Sequence, residues 1–236
     1  MTAEAIRVKL IAAASAPYRA AGRFAWRFAH GKLGGDPAFT GLLERGLIPD
    51  GVRLLDLGCG QGLLASWLLA ARTQFDAGEW PVNWPAPPRL TTIAGVELMP
   101  RDVERARAAL GDAAKFIAGD IRFTEFAKAD VIVILDVLHY IPYAEQDAVL
   151  RRVRDALLPS GTLLLRIGDA GGGWGFRWST WVDHAVMLVR GHGLVRLYCR
   201  RLSDWTEPLH ALGFTVEAHP MSTGTLFANV LLVATL

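Results

Sequence analysis

The stretch RLLDLGCGQGLL, residues 53–64, decides the fold of this chain. Residues 53–57 are mostly apolar and predict a buried strand, the three alternating glycines predict a tight turn, and residues 63–71 predict a helix. Glycine has no Cβ, so a ligand can approach the backbone of the turn, and the helix that follows presents N–H donors at its start. The stretch therefore predicts a strand, turn and helix that bind a small polar ligand.

The glycine spacing separates this turn from the dinucleotide-binding pattern G-x-G-x-x-G. Counting from Gly58 and Gly60, that pattern requires glycine at position 63, where the chain has Leu63. A tight turn without a ligand is the remaining alternative. Within the turn, Cys59 is interpreted as a small turn residue rather than a nucleophile.

Short apolar runs alternate with helical patterns from residue 53 onward, as is typical of a parallel sheet with helices on both faces. The last two apolar runs, separated by a turn-rich segment, predict a closing antiparallel hairpin, so the fold class is α/β. The predicted strands are residues 53–57, 90–96, 115–118, 131–135, 161–167, 215–219 and 227–234, and the predicted helices are residues 63–71, 101–110 and 144–157.

The composition narrows the class of protein. The chain has 236 residues, of which 52% are hydrophobic and 20% charged, as is typical of a globular domain. A net charge of +2 gives no chain-wide argument for a nucleic-acid partner. The sequence contains no run of about 18 apolar residues, so it predicts no transmembrane segment. Cys59 and Cys199 lack metal-ligand spacing, so we expect no metal site and a reducing, cytoplasmic location.

The turn carries a family resemblance. A strand that ends in an acid and continues as G-x-G-x-G resembles the first motif of the class I S-adenosylmethionine-dependent methyltransferases, and the resemblance covers about residues 53–167. It implies a Rossmann-like fold with a seven-stranded, mostly parallel sheet, and S-adenosyl-L-methionine as cofactor. It also implies that Asp56 and the backbone of Gly58, Gly60 and Gly62 hold the methionine portion. The pattern resembles, more generally, methyltransferases of bacterial aryl polyene pigment clusters.

Two later strand ends supply further cofactor residues by the same resemblance. Glu97, followed by Leu98 and Met99, is expected to accept two hydrogen bonds from the ribose diol, because an ionised carboxylate only accepts. Asp120 is expected to accept from the adenine amino group, with Ile121 and Met99 as apolar walls for the ring.

The ends of the fourth and fifth predicted strands supply candidates for catalysis. By resemblance, Asp136 lies near the methyl-donating end of the cofactor or lines the acceptor cavity. His139 is the first candidate for a general base, against the alternative of a histidine packed in the fold, and Asp169 and His184 are further candidates. The segment is not the Asn-Pro-Pro-Tyr motif of amino-methylating DNA enzymes, which disfavours that class.

An aromatic segment follows the fifth predicted strand. Consecutive glycines at residues 171–173 predict a mobile connection, and residues 170–202 are interpreted as an aromatic lid, although such a stripe also suits plain packing. The candidate acceptor-binding residues are Tyr140, Trp174, Arg177, Trp178 and Trp181.

We expect residues 1–50 to form N-terminal helices that act as a lid or cap, and residues 51–236 to form the methyltransferase domain. Residues 73–89, rich in tryptophan and proline, are predicted to be a surface insertion, which accounts for the wide spacing of the first two acids. Tyr18 and Phe24 are among the aromatic residues expected to pack the N-terminal helices onto the domain.

The expected function is O- or C-methylation of a small, aromatic or polyketide-like acceptor in secondary metabolism. A carrier-protein-bound acceptor fits too, with the basic residues of the N-terminal helices facing an acidic carrier. The alternatives are an RNA or protein methyltransferase, a cofactor-binding scaffold without catalysis, and a peripheral membrane module. The residues expected to face the carrier are Arg19, Arg23, Arg27 and Lys32. The RNA or protein alternative uses the N-terminal arginines together with Arg196, Arg200 and Arg201.

Overall fold

The structure is a computed structural model that describes residues 1–168, 197–221 and 229–236. Within these ranges the strands form one mixed sheet in the order β3-β2-β1-β4-β5-β7-β6. The strands are β1 (Arg53–Leu57), β2 (Thr92–Glu97), β3 (Lys115–Ala118), β4 (Ala129–Leu135), β5 (Leu157–Gly168), β6 (Thr215–Pro220) and β7 (Asn229–Thr235). The α-helices are α1 (Ala3–Ser15), α2 (Arg23–Gly35), α3 (Pro37–Glu44), α4 (Leu63–Asp76), α5 (Pro100–Leu110), α6 (Tyr143–Ala156) and α7 (Leu202–Ala211).

The predicted α/β fold with a mostly parallel sheet and antiparallel C-terminal strands is confirmed. Pro100 occupies the first turn of α5, where its missing N–H costs nothing. Helix α4 extends to Asp76, beyond its predicted end, so residues 73–76 belong to a helix rather than to the expected insertion. A pair between Arg72 and Asp76, four residues apart, supports this last turn, and Gly78 follows it at positive φ.

The chain divides into two compact units, and the first is Met1–Glu125. Strands β1, β2 and β3 pair in parallel there, with Leu57 beside Val96 and Glu97 beside Ala118. Their carboxyl ends therefore lie at the same edge, where open α/β sheets bind ligands. Helix α1 packs against α2 and α4 in this unit.

The second unit is Phe126–Leu236. Strands β4 and β5 pair in parallel, β7 pairs antiparallel with β5, and β6 pairs antiparallel with β7. Every residue from Val131 to Ile134 is buried, as expected for a strand covered on both faces.

In the described ranges, each helix is too short or too polar to cross a membrane.

Candidate functional site

The glycine turn lies between β1 and α4 in the first unit. Gly58, Gly60 and Gly62 have φ values of 80°, 55° and 79°, a region that glycine enters at little cost. The N–H of Gly58 donates to the carbonyl oxygen of Val96 at 2.8 Å, which fixes the start of the turn to β2. A Cβ added at Gly60 would meet no heavy atom within 4 Å, so open space adjoins the middle of the turn.

Gly62 is required for a different reason. A Cβ at this position would lie 2.7 Å from the ring of Phe116 on β3, closer than packed atoms approach. Gly62 also forms the left-handed N-cap of α4 and supplies no side-chain cap, so the first turn of that helix keeps the N–H donors expected from the sequence. Gly60 thus leaves room for a ligand, whereas Gly62 serves the packing of the turn.

Glu97 ties the turn to the end of β2. Its Oε2 accepts from the Gly60 N–H at 2.9 Å, and its Oε1 accepts from the Met99 N–H at 2.9 Å. The residue is only 9% exposed. Each oxygen of an ionised carboxylate has a second lone pair, so Glu97 retains two acceptor sites beside Gly60.

Asp56, at the end of β1, is 6% exposed. Burial, and to a smaller extent the nearby charge of Glu97, raise the pKa of its carboxyl group from 3.8 to about 7. Because burial and Glu97 disfavour the negative charge of Asp56, a positively charged ligand beside Asp56 would stabilise its ionised form.

Asp120 follows β3 and is engaged by its neighbour Arg122. Its Oδ1 accepts from the backbone N–H of Arg122 at 2.9 Å, and its Oδ2 accepts from Nη2 of Arg122 at 2.6 Å. The guanidinium hydrogen bonds hold the pKa of Asp120 below its usual range. Both oxygens of Asp120 are therefore occupied by Arg122, which the sequence analysis did not include in the site.

The apolar residues predicted beside the cofactor differ in exposure. Leu98, after Glu97, is 58% exposed, so its side chain is accessible to a ligand at the end of β2. Ile121 is buried, and Met99 forms the N-cap of α5.

In the second unit, Asp136 follows β4 in a left-handed conformation with φ of 57°. Its Oδ1 accepts from Nε of Arg166 at 2.9 Å, and its Oδ2 pairs with Nη2 of the same guanidinium. Arg166 is 3% exposed. The negative charge of Asp136 is thus balanced within its own unit by a buried arginine that the sequence analysis missed.

His139 and Tyr140 lie in a short 3₁₀ helix, Leu138–Tyr140, after β4. His139 is buried, and its ring centroid lies 4.2 Å from that of Tyr140. The segment is held by the buried Gln146, whose Nε2 donates to the carbonyl oxygens of Leu138 and Ile141 at 3.0 and 2.8 Å. The structure therefore gives His139 a fixed position, while its role as a base stays a prediction.

Seven residues predicted for the second unit belong to the stretch 169–196. They lie outside the described residues, and their roles stay predictions: Asp169, Trp174, Arg177, Trp178, Trp181, His184 and Arg196.

Basic residues proposed as surface contacts have varied environments. Arg200 donates to the carbonyl oxygen of Tyr143 at 2.9 Å and pairs with Asp147 at 2.8 Å. Its charge is therefore balanced by an acid of the same unit. Lys32 pairs with Asp36 at 2.8 Å. Arg23 and Arg27 are exposed on α2.

A comparison with known proteins identifies the family. Residues 25–219, well over half of the chain, match the family described as a methyltransferase domain. A curated relative, the carboxy-S-adenosyl-L-methionine synthase of Chromohalobacter salexigens, is 32% identical over 130 residues, which cover 53% of this chain and 43% of the relative. The matched region is thus less than half of that relative.

Solved structures agree on the fold. The pyocyanin biosynthetic protein PhzM has a TM-score of 0.63 at 17% identity, over 92% of this chain and 60% of that chain. Magnesium protoporphyrin IX methyltransferase from Synechocystis PCC 6803, solved with bound SAH, has a TM-score of 0.57 at 20% identity, over 84% and 79%. This chain belongs to the family described as a methyltransferase domain, and the predicted Rossmann-like fold is confirmed.

Proposed function

We propose that the glycine turn and the two acids Asp56 and Glu97 hold S-adenosylmethionine, and that the chain transfers its methyl group to a small acceptor. The observation that carries the proposal is the buried acid pair beside the open space at Gly60. When bound, the cofactor supplies an activated methyl group on a positively charged sulfur.

The described residues fit this cofactor in charge and in hydrogen-bonding capacity. Asp56 is a buried carboxyl group whose ionised form is costly without a nearby cation, and the cofactor carries positive charge. Glu97 already accepts one backbone hydrogen bond on each oxygen and has one further site on each, which suits the two hydroxyls of a ribose. Leu98 supplies an exposed apolar side chain next to Glu97.

Asp120 fits the expected adenine contact less simply. Its oxygens already accept from Arg122, so an amino group would have to share them or displace the guanidinium. We propose that the pair Asp120–Arg122 borders the adenine position as a unit, in which Arg122 fixes the orientation of the carboxylate.

In the second unit, we propose that Asp136 shapes the chain after β4 through its pair with Arg166, rather than meeting the sulfonium with a free charge. Orientation of reacting groups can lower a barrier by about 7–11 kcal/mol, whereas a positioned base contributes about 10²- to 10⁴-fold in rate. A base such as His139 or Asp169 would therefore matter most for an acceptor that must lose a proton.

The acceptor that we propose is a small, aromatic or polyketide-like molecule, free or carrier-bound, methylated on oxygen or carbon. Support comes from the sequence resemblance of residues 53–167. The internal pairing of Arg200 removes one of the charges on which binding of RNA or an acidic protein surface was expected to depend.

Calorimetric titration tests the cofactor proposal directly. We expect S-adenosylmethionine to bind and NAD not to bind, and we expect Glu97→Ala to weaken binding at least about tenfold, since it removes two charge-assisted hydrogen bonds. Glu104→Ala, which removes an exposed acid on α5 of the same unit, is the matched control and should bind normally. Equal affinity in all three proteins would show that the cofactor lies elsewhere.

The reaction is tested by incubating the purified chain with cofactor labelled in its methyl group and an extract of host metabolites. Transfer of label to a small aromatic product supports the proposal. Label in RNA or protein would contradict the proposed acceptor class. Label that stays in a carboxylated form of the cofactor, with none transferred to an acceptor, would replace methyl transfer by the reaction for which the curated relative is named.

A further inference from the structure

Two buried hydrogen bonds connect the N-terminal helices to the glycine turn. Tyr18 lies in a short 3₁₀ helix, Ala16–Arg19, between α1 and α2, and is 0% exposed. Its hydroxyl donates to the carbonyl oxygen of Gln61 at 2.9 Å. The side-chain Nε2 of Gln61 in turn donates to the carbonyl oxygen of Ala25 on α2 at 2.9 Å. Gln61 is therefore held at its backbone and at its side chain.

The position of Gln61 makes these contacts relevant to the site. It lies between Gly60, whose N–H donates to Glu97, and Gly62, which caps α4. Moving the Gln61 carbonyl rotates the peptide planes on either side, because consecutive peptides share a Cα. The two hydrogen bonds thus limit the conformations that the turn can adopt.

Loss of either hydrogen bond of Gln61 would destabilise the folded chain. Gln61 is 1% exposed, and a buried polar group without a partner loses its hydration with no compensation. Burial raises the pKa of the Tyr18 phenol above its ordinary value, so its hydroxyl stays a donor across the physiological range. A lid that swung away would break both bonds.

A second anchor lies in the next turn of α4. The hydroxyl of Ser66 donates to the carbonyl oxygen of Ala14 on α1 at 2.7 Å, and Ser66 is also buried. The N-terminal helices therefore contact the turn and the beginning of α4 at neighbouring points.

We propose that residues 16–25 act as a brace that sets the conformation of the glycine turn, with Tyr18 and Gln61 as positioning residues for the cofactor. This inference rests on the proposed function of the turn. A turn that is already ordered loses less conformational entropy when the cofactor binds. The brace therefore raises cofactor affinity without contacting the cofactor. By linkage, bound cofactor stabilises the brace to the same extent.

The test compares Tyr18→Phe with a matched control. Tyr18→Phe removes one hydroxyl and should weaken binding of S-adenosylhomocysteine by roughly threefold to tenfold. This change in affinity corresponds to the usual contribution of one buried hydrogen bond. Trp67→Phe breaks a buried hydrogen bond from α4 to the carbonyl oxygen of Phe39, at 2.8 Å, and does not involve the turn. The control should lose stability and keep its affinity.

Hydrogen exchange gives a readout that needs no ligand. Amides of residues 58–62 should exchange faster in Tyr18→Phe than in the wild type or in Trp67→Phe, measured where all three proteins are folded. If Tyr18→Phe does not fold, Gln61→Met removes the donor to Ala25 at similar side-chain volume and should show the same two effects.

The outcomes separate the two proposals. Faster exchange in the turn together with weaker binding supports the brace. Unchanged turn exchange and unchanged affinity in a folded Tyr18→Phe would overturn it, even with a lowered melting temperature. Failure of the wild type to bind S-adenosylhomocysteine would contradict the proposed function, while faster turn exchange in Tyr18→Phe would still support the brace.

Discussion

The pH dependence of folding should reveal the buried charge of Asp56. Its pKa is about 7 in the folded chain, against an ordinary value of 3.8, so between these pH values the folded state binds a proton that the unfolded state has released. Stability attributable to this group is therefore lost as pH rises through the window. Asp56→Asn replaces the acid by an amide that does not titrate, so the loss should be absent in the variant.

The magnitude follows from the two pKa values. The interval from 3.8 to about 7 corresponds to about 4 kcal/mol in the free energy of unfolding, of which roughly 2–3 kcal/mol should be lost between about pH 5 and about pH 8. Relative to the wild type, Asp56→Asn should become more stable across this range by that amount. Because Asp56 is buried, screening by salt reduces the effect little.

Urea unfolding at a series of pH values, followed by circular dichroism, measures the difference between the two proteins. Asp76→Asn is the control, because hydrogen bonding to Arg72 lowers the pKa of Asp76, and stability from that pair is lost only as pH falls through the acid range. Its difference from the wild type should be constant above about pH 5. A wild-type minus Asp56→Asn difference that is equally flat, or that rises with pH, would refute the reasoning.

Three further predictions concern the same unit. Gly60→Ala should lower cofactor affinity, because the added methyl group enters the open space beside the turn, and should lower the free energy of unfolding by only about 1 kcal/mol. Gly62→Ala should mainly lower the melting temperature, because its methyl group clashes with Phe116. Equal effects of the two substitutions in calorimetry would contradict this division. Arg122→Ala should raise the pKa of Asp120, which NMR titration can follow, and an unchanged pKa would show that the ion pair is absent in solution. Because bound cofactor favours ionised Asp56, wild-type affinity should increase from about pH 5.5 to about pH 7, and the increase should vanish in Asp56→Asn.

The sequence predicted the parts of the fold that depend on local pattern. The predicted bounds of β1 and β3, residues 53–57 and 115–118, agree with the structure. In both, a short apolar run is followed by glycine, and this local pattern determines where the strand ends. The predicted end of α4 was too early, because the sequence 73–76 contains no helix breaker and the stabilising pair of Arg72 with Asp76 was not considered.

The contacts that hold the site depend on tertiary structure and were not predicted. Tyr18 was expected only to pack, and its hydrogen bond to Gln61 joins residues 43 positions apart. Arg166 is a charged residue in the apolar run LLLRI, residues 163–167, and that signal could have identified the partner of Asp136. Phe24 was expected to pack onto the domain, yet it is 55% exposed, with the Arg105 guanidinium 4.8 Å from its ring centre.

A crystal structure with bound S-adenosylhomocysteine tests the central claim most directly. The account predicts ribose hydroxyls within hydrogen-bond distance of both oxygens of Glu97, with the amino-acid portion of the ligand beside Gly60 and Asp56. Ligand density at another place in the chain, with the space beside Gly60 filled only by water, would contradict it.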